Sequence, residues 1–223
     1  MASRKNKSKS SARYKNKKHF RNNSINELEI HKKNKLFLIP ILTIVTILPL
    51  IVKMYDYNTV LYEYPWFPFE RYSDFFLYYK QWFFIAICIF MTMIIAFKAY
   101  LDKGFLKFSP IFLPLAGYGF LALLSSILSV DRSISFSGNF EQFESIFVLL
   151  GYCLVPYYIY IFVNTEYDVK YILFWLMIGS LVISLLGSSQ YFGHDFLQTE
   201  LGKKLITPSY YHNHLDTLSF NFG

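Results

Sequence analysis

Charged residues vanish from this chain for 17 to 21 positions at a time, in five separate windows: Leu36–Val52, Gln81–Phe97, Pro110–Val130, Ile146–Val163 and Tyr171–Ser189. A helix needs ~20 apolar residues to cross a bilayer, with ~17 as the lower limit. None of the five carries a polar stripe with a 3.6-residue period, as a helix at the surface of a soluble bundle would. The pattern predicts an all-α, polytopic membrane helix bundle of five transmembrane helices. Its expected domains are a disordered basic tail over 1–35, a bundle over 36–189 and an external loop over 190–223.

Charge sharpens this picture. Residues 4–35 hold twelve Lys and Arg against Glu27 and Glu29, a net +10, while the formal total is +7, so the rest of the chain is net −3. The tail is too poor in apolar residues to offset the entropy of ordering. Nucleic-acid binding is one use for such a tail, but a span begins directly after Lys35, which favours anionic lipid headgroups as the partner and no nucleic acid. With the tail cytoplasmic, sixteen cations lie inside and six outside. The positive-inside rule then sets the amino terminus in the cytoplasm and segments 53–80, 131–145 and 190–223 outside a plasma membrane. The abrupt end at Gly223 leads us to expect a longer gene product.

Small residues recur in two spans: Gly119, Ala122 and Ser126 in the third, and Gly179 with Ser180, Ser184 and Ser188 in the fifth. They predict close helix–helix faces. Pro40, Pro49, Pro114 and Pro156 fall in or near spans, where each removes a backbone donor. Cys88 and Cys153 lie inside spans, which rules out an extracellular disulfide framework. The first outer segment, Tyr55–Tyr79, carries twelve aromatic residues. They read as an interfacial belt or as a platform for the apolar faces of sugar rings.

Chemistry is sparser. Asn139 followed by Gln142 has the spacing of a helix-start capping pair, which places Glu141 and Glu144 in the first turn of the fourth span, against its positive dipole. The competing reading makes Arg132 a phosphate contact and Glu144 a polar group facing an outer cavity. His212-x-His214-x-Asp216 shares one face of an extended strand, but a zinc site needs more ligands and supporting partners; a polar loop accounts for these residues, with no metal and no cofactor. No Asp, Glu, Lys or Arg lies well inside a span, which weighs against ion-coupled transport.

The run Ser129-Val130-Asp131, then Gly138-Asn139-Phe140-Glu141-Gln142-Phe143-Glu144-Ser145 and Gly151-Tyr152, resembles the bacterial O-antigen ligase and polymerase family. So does Gln190-Tyr191-Phe192-Gly193-His194-Asp195-Phe196. The likeness covers roughly residues 110–200, and Arg132, Gln142 and Ser145 stand where the family commonly has Pro, Arg and Gly. It implies a membrane glycan transferase whose donor saccharide is linked to undecaprenyl diphosphate and whose acceptor lies at the outer face. It also implies a catalytic loop beyond Gly223, so the catalytic residues are unknown and this chain alone is expected to be inactive. Arg132, Glu144 and His194 are then the expected substrate contacts. The alternatives are a flippase component for lipid-linked saccharide and a non-catalytic membrane assembly protein.

Overall fold

The computed structural model describes residues 35–58, 71–103, 108–138, 143–210 and 212. The chain divides into two compact units, Met1–Ile39 and Pro40–Gly223. In the first, residues 35–39 are helical; the rest of the basic tail lies outside the described residues. Everything below concerns the second unit, apart from the first five residues of the helix Lys35–Leu50.

The protein is mostly helical. Three helices are long and apolar enough to cross a membrane: α2 (Tyr78–Leu101), α3 with its leading 3-10 turn (Pro110–Ile127) and α6 (Glu166–Tyr191). Two apolar helices are shorter, α1 (Lys35–Leu50) and α5 (Ile146–Phe162). Only 6% of the most apolar stretch of α3, and likewise of α6, is buried. Apolar surface left open on this scale asks for a hydrocarbon environment, because water would penalise it at ~25 cal/mol per Å².

Prolines shape the helix ends. α1 widens to a π-helix over Thr43–Ile47 and tightens to 3-10 over Leu48–Leu50. The α-helical donor for the Val45 carbonyl would be the nitrogen of residue 49, which is proline and has none. Pro110 and Pro114 stand in first turns, where a missing donor costs nothing.

Packing runs as a row: α6 on the π segment of α1, the end of α1 on α2, α2 on α5, and α5 on α3. The core centres on Phe84, Cys88 and Val148, with Ile44, Leu48, Ile85, Leu154 and Val155 around it. In the third span Gly119 behaves as the sequence predicts: it is buried, and a Cβ there would stand 3.5 Å from Leu150 and 3.6 Å from the Cys153 sulfur. The fifth span differs. Gly179 takes the contact, against Val45 and Thr46, and the Thr46 hydroxyl donates to the Trp175 carbonyl at 3.4 Å. Ser180, Ser184 and Ser188 are exposed, so the expected serine face is not a buried packing face. One face of a single helix meets α1, and the glycine face allows the closer approach.

The first outer segment holds a two-stranded antiparallel hairpin, β1 (Tyr55–Asn58) with β2 (Arg71–Asp74), pairing Tyr57 with Tyr72. Residues 59–70, including five of the twelve aromatics, lie outside the described residues. The Asp74 carboxylate accepts from the Leu77 and Tyr78 amides at 2.9 and 2.8 Å, which satisfies orphan donors at the start of α2. Asp74→Ala is expected to lower stability by about 1 kcal/mol, measured by denaturant titration in mixed micelles.

Three separate segments meet at one end of the bundle. The hairpin joins the carboxyl-terminal helix α7 (Glu200–Ile206) through the Met54 amide, which donates to the Ile206 carbonyl at 2.8 Å, and through Tyr210, whose hydroxyl donates to Asp56 at 3.0 Å. The short helix α4 (Arg132–Ser137) joins α2 through Gln81, whose amide donates to the Ser137 carbonyl at 3.1 Å. At the opposite end Lys98 lies 5.3 Å over the Phe162 ring. Segment 190–223 is not simply a loop, because α6 runs to Tyr191 and a 3-10 turn at Phe196–Gln198 leads into α7.

Candidate functional site

A cavity of about 440 Å³ opens between the starts of α2 and α5 and the end of α1. Its walls are apolar: Ile44 and Leu48 from α1, Phe84 from α2, and Val148, Val155 and Pro156 from α5. Its polar groups are few, Lys80 and Gln81 on α2, Glu144 just before α5, and Tyr152 on α5. Leu77 and Phe143 complete it. This is the composition of a small-molecule site, mostly apolar with a few placed polar groups.

The local folding that builds it is specific. Lys80, Gln81 and Phe84 share one face of α2 because three and four residues bring side chains into register. Gln81 is 7% exposed and tied to Ser137, which fixes α4 beside the mouth. Phe143 is 4% exposed with a backbone φ of 50°, a left-handed geometry uncommon for an aromatic residue. Gly138 makes this possible. Its φ is +89°, and a Cβ there would stand 2.8 Å from the Phe143 carbonyl carbon.

Phe143 also borders a second cavity of about 250 Å³, lined by Tyr55, Tyr78 and Trp82 and by Ser133, Ile134, Ser137 and Gly138. Tyr55 and Tyr78 stack in parallel, 3.5 Å between centroids, and Phe143 meets both edge-on at 6.4 and 5.5 Å. Burial, followed by the neighbouring Tyr78, pushes the Tyr55 phenol above its ordinary value, so it remains a neutral hydroxyl at physiological pH.

The expected contacts are placed separately. Glu144 lines the first cavity. It is not in the first turn of a helix, because α5 begins at Ile146 with no acidic residue in its opening turn. The proposed capping pair Asn139 and Gln142, with Glu141, lies outside the described residues. Arg132 is exposed at the start of α4, next to Ser133 of the second cavity but lining neither. The N-cap of α4 is Asp131, which accepts from the Ile134 amide at 3.2 Å. His194 is exposed after α6 and lines neither cavity. His212 sits 3.2 Å from the Thr207 carbonyl, and His214 and Asp216 lie outside the described residues.

Sequence reasoning missed Lys80 and Gln81 as site residues. A Lys-Gln pair opening an apolar span, with Phe84 one turn on, was the available signal. No protein-family model, curated protein or solved structure matches the chain.

Proposed function

We propose that this chain is the donor-binding membrane part of a glycan transferase of the O-antigen ligase and polymerase type. In this reading the five apolar helices each cross the bilayer, the amino terminus is cytoplasmic, and the hairpin, α4 and α7 lie on the outer face. Two observations support the five crossings. The three segments assigned outside by charge gather at one end of the bundle, and two helices separate each from the next, as an alternating path requires.

The first cavity carries the functional reading. It has apolar walls for an isoprenoid chain and, where α2 begins, a cation in Lys80, with Gln81 beside it. A diphosphate held at that point would take charge-assisted hydrogen bonds from Lys80, while the hydrocarbon chain stayed against Leu48, Phe84 and Val155. Glu144 opposes a second anion there and suits it instead to a neutral hydroxyl, as an acceptor of hydrogen bonds. In this reading Arg132 and His194 stand outside the donor cavity and are available to the acceptor.

The test is retention of radiolabelled undecaprenyl diphosphate by the full chain in nanodiscs. Binding is expected to exceed that of undecaprenol, and Lys80→Glu to weaken it by about tenfold. Equal retention of the diphosphate and the alcohol sinks the reading.

A further inference from the structure

We infer that the second cavity is a subsite for a single pyranose ring, held between the aromatic face of α2 and the serines of α4. The inference deepens the donor reading and rests on it for the class of ligand.

The lining residues are all uncharged: three aromatic rings from the hairpin and α2, Phe143, Ile134, two serines and a glycine. No cation is present to hold a phosphate, so the ligand this cavity fits is neutral. An acyl chain has no use for hydroxyl groups, yet Ser133 and Ser137 both line the space. The Ser137 hydroxyl donates to the Ser133 carbonyl at 2.7 Å, which leaves its oxygen as an acceptor. A pyranose has one apolar C–H face and a rim of hydroxyls, and this cavity is lined by both aromatic rings and serines.

Size and position agree. About 250 Å³ lies below the ~300–1,000 Å³ of pockets for drug-sized ligands, room for one ring and not for a chain. Tyr78 and Trp82 are four residues apart on α2, so they share a face. Trp82 is 55% exposed and therefore open to an incoming ring. The buried Phe143 ring borders both cavities. A diphosphate at Lys80 and its first sugar would thus share Phe143 as a neighbour.

Saturation-transfer NMR on the full chain in nanodiscs, with the methyl β-glycosides of glucose, galactose and N-acetylglucosamine, tests this. At least one probe should show transfer concentrated on one ring face, weakened about tenfold in Trp82→Ala and recovered in Trp82→Phe. No transfer to any probe, or equal transfer to wild type and Trp82→Ala, overturns the inference. Retention of undecaprenyl diphosphate, measured on the same samples, separates the two readings. If the diphosphate binds and no sugar does, only the sugar subsite falls; if a sugar binds in a Trp82-dependent way and the diphosphate does not, only the lipid site falls.

Discussion

Replacing Gly151 with leucine is expected to cost about 3 kcal/mol of stability, and with alanine about 2 kcal/mol. A Cβ at this position would stand 2.5 Å from Cε1 of Phe84 and 2.8 Å from the sulfur of Cys88. Both neighbours are buried and belong to the core between α2 and α5. Either the Phe84 ring leaves its place or the two helices part. The interaction is checked with a double-mutant cycle. Phe84→Leu alone removes buried ring atoms and costs stability, but in the Gly151→Ala background it opens the space that the new methyl needs. Thermal unfolding in mixed micelles should therefore show the double variant losing less than the two single losses combined. Simple additivity would mean that α2 and α5 do not touch there. Because Phe84 also lines the first cavity, Gly151→Ala should weaken undecaprenyl diphosphate retention even at temperatures where the protein stays folded.

Asp168→Ala is expected to lower stability by about 2 kcal/mol. Asp168 is 4% exposed, and its carboxylate accepts from the amides of Asn164 and Thr165 at 3.2 and 3.0 Å. Thr165 returns the arrangement by accepting from the Asp168 amide at 3.2 Å. The two residues form a capping box at the start of α6, so removing the carboxylate orphans two donors at once. Asp168→Asn keeps one acceptor oxygen and should lose about half as much. The nearby Glu166–Lys170 pair, 3.8 Å apart and highly exposed, contributes little by comparison. Parallel unfolding curves of the two Asp168 variants and of Glu166→Gln decide the order; a Glu166→Gln loss as large as that of Asp168→Ala would contradict it.

That capping box was legible in the sequence, since Thr-x-x-Asp stands directly before an apolar run. Asn139 and Gln142 have the same spacing, which is why local pattern placed Glu144 in a first turn, although the charge-free window itself began at Ile146, where α5 starts. An apolar run marks that a helix exists, but the first hydrogen-bonded turn depends on the chain before it, here bent through Gly138 and Phe143. Apolar windows fared better because exclusion of charge is a property of each residue alone. All five contain a helix, although α1 and α5 are shorter than a standard span. The hairpin had a period-two signal in Tyr55-Asp56-Tyr57-Asn58, masked by the density of aromatics around it. The cavities were out of reach of any local rule. Lys80 and Glu144 are far apart in sequence and meet at the first cavity only where α2 packs on α5, and Tyr55 reaches the second only by stacking on Tyr78.

The length of α5 has a consequence for the surrounding lipid. Its 17 residues rise about 26 Å, whereas the charge-free stretch of α6, Tyr171–Ser189, rises about 29 Å. A bilayer core is ~30 Å thick, and it adapts to a short wall by thinning and to a long one by tilt. If α5 crosses the bilayer as proposed, the hydrocarbon is therefore expected to be pinched by about 4 Å beside it. A lipid approaching on the pinched flank has its headgroup drawn toward the midplane before it touches any side chain.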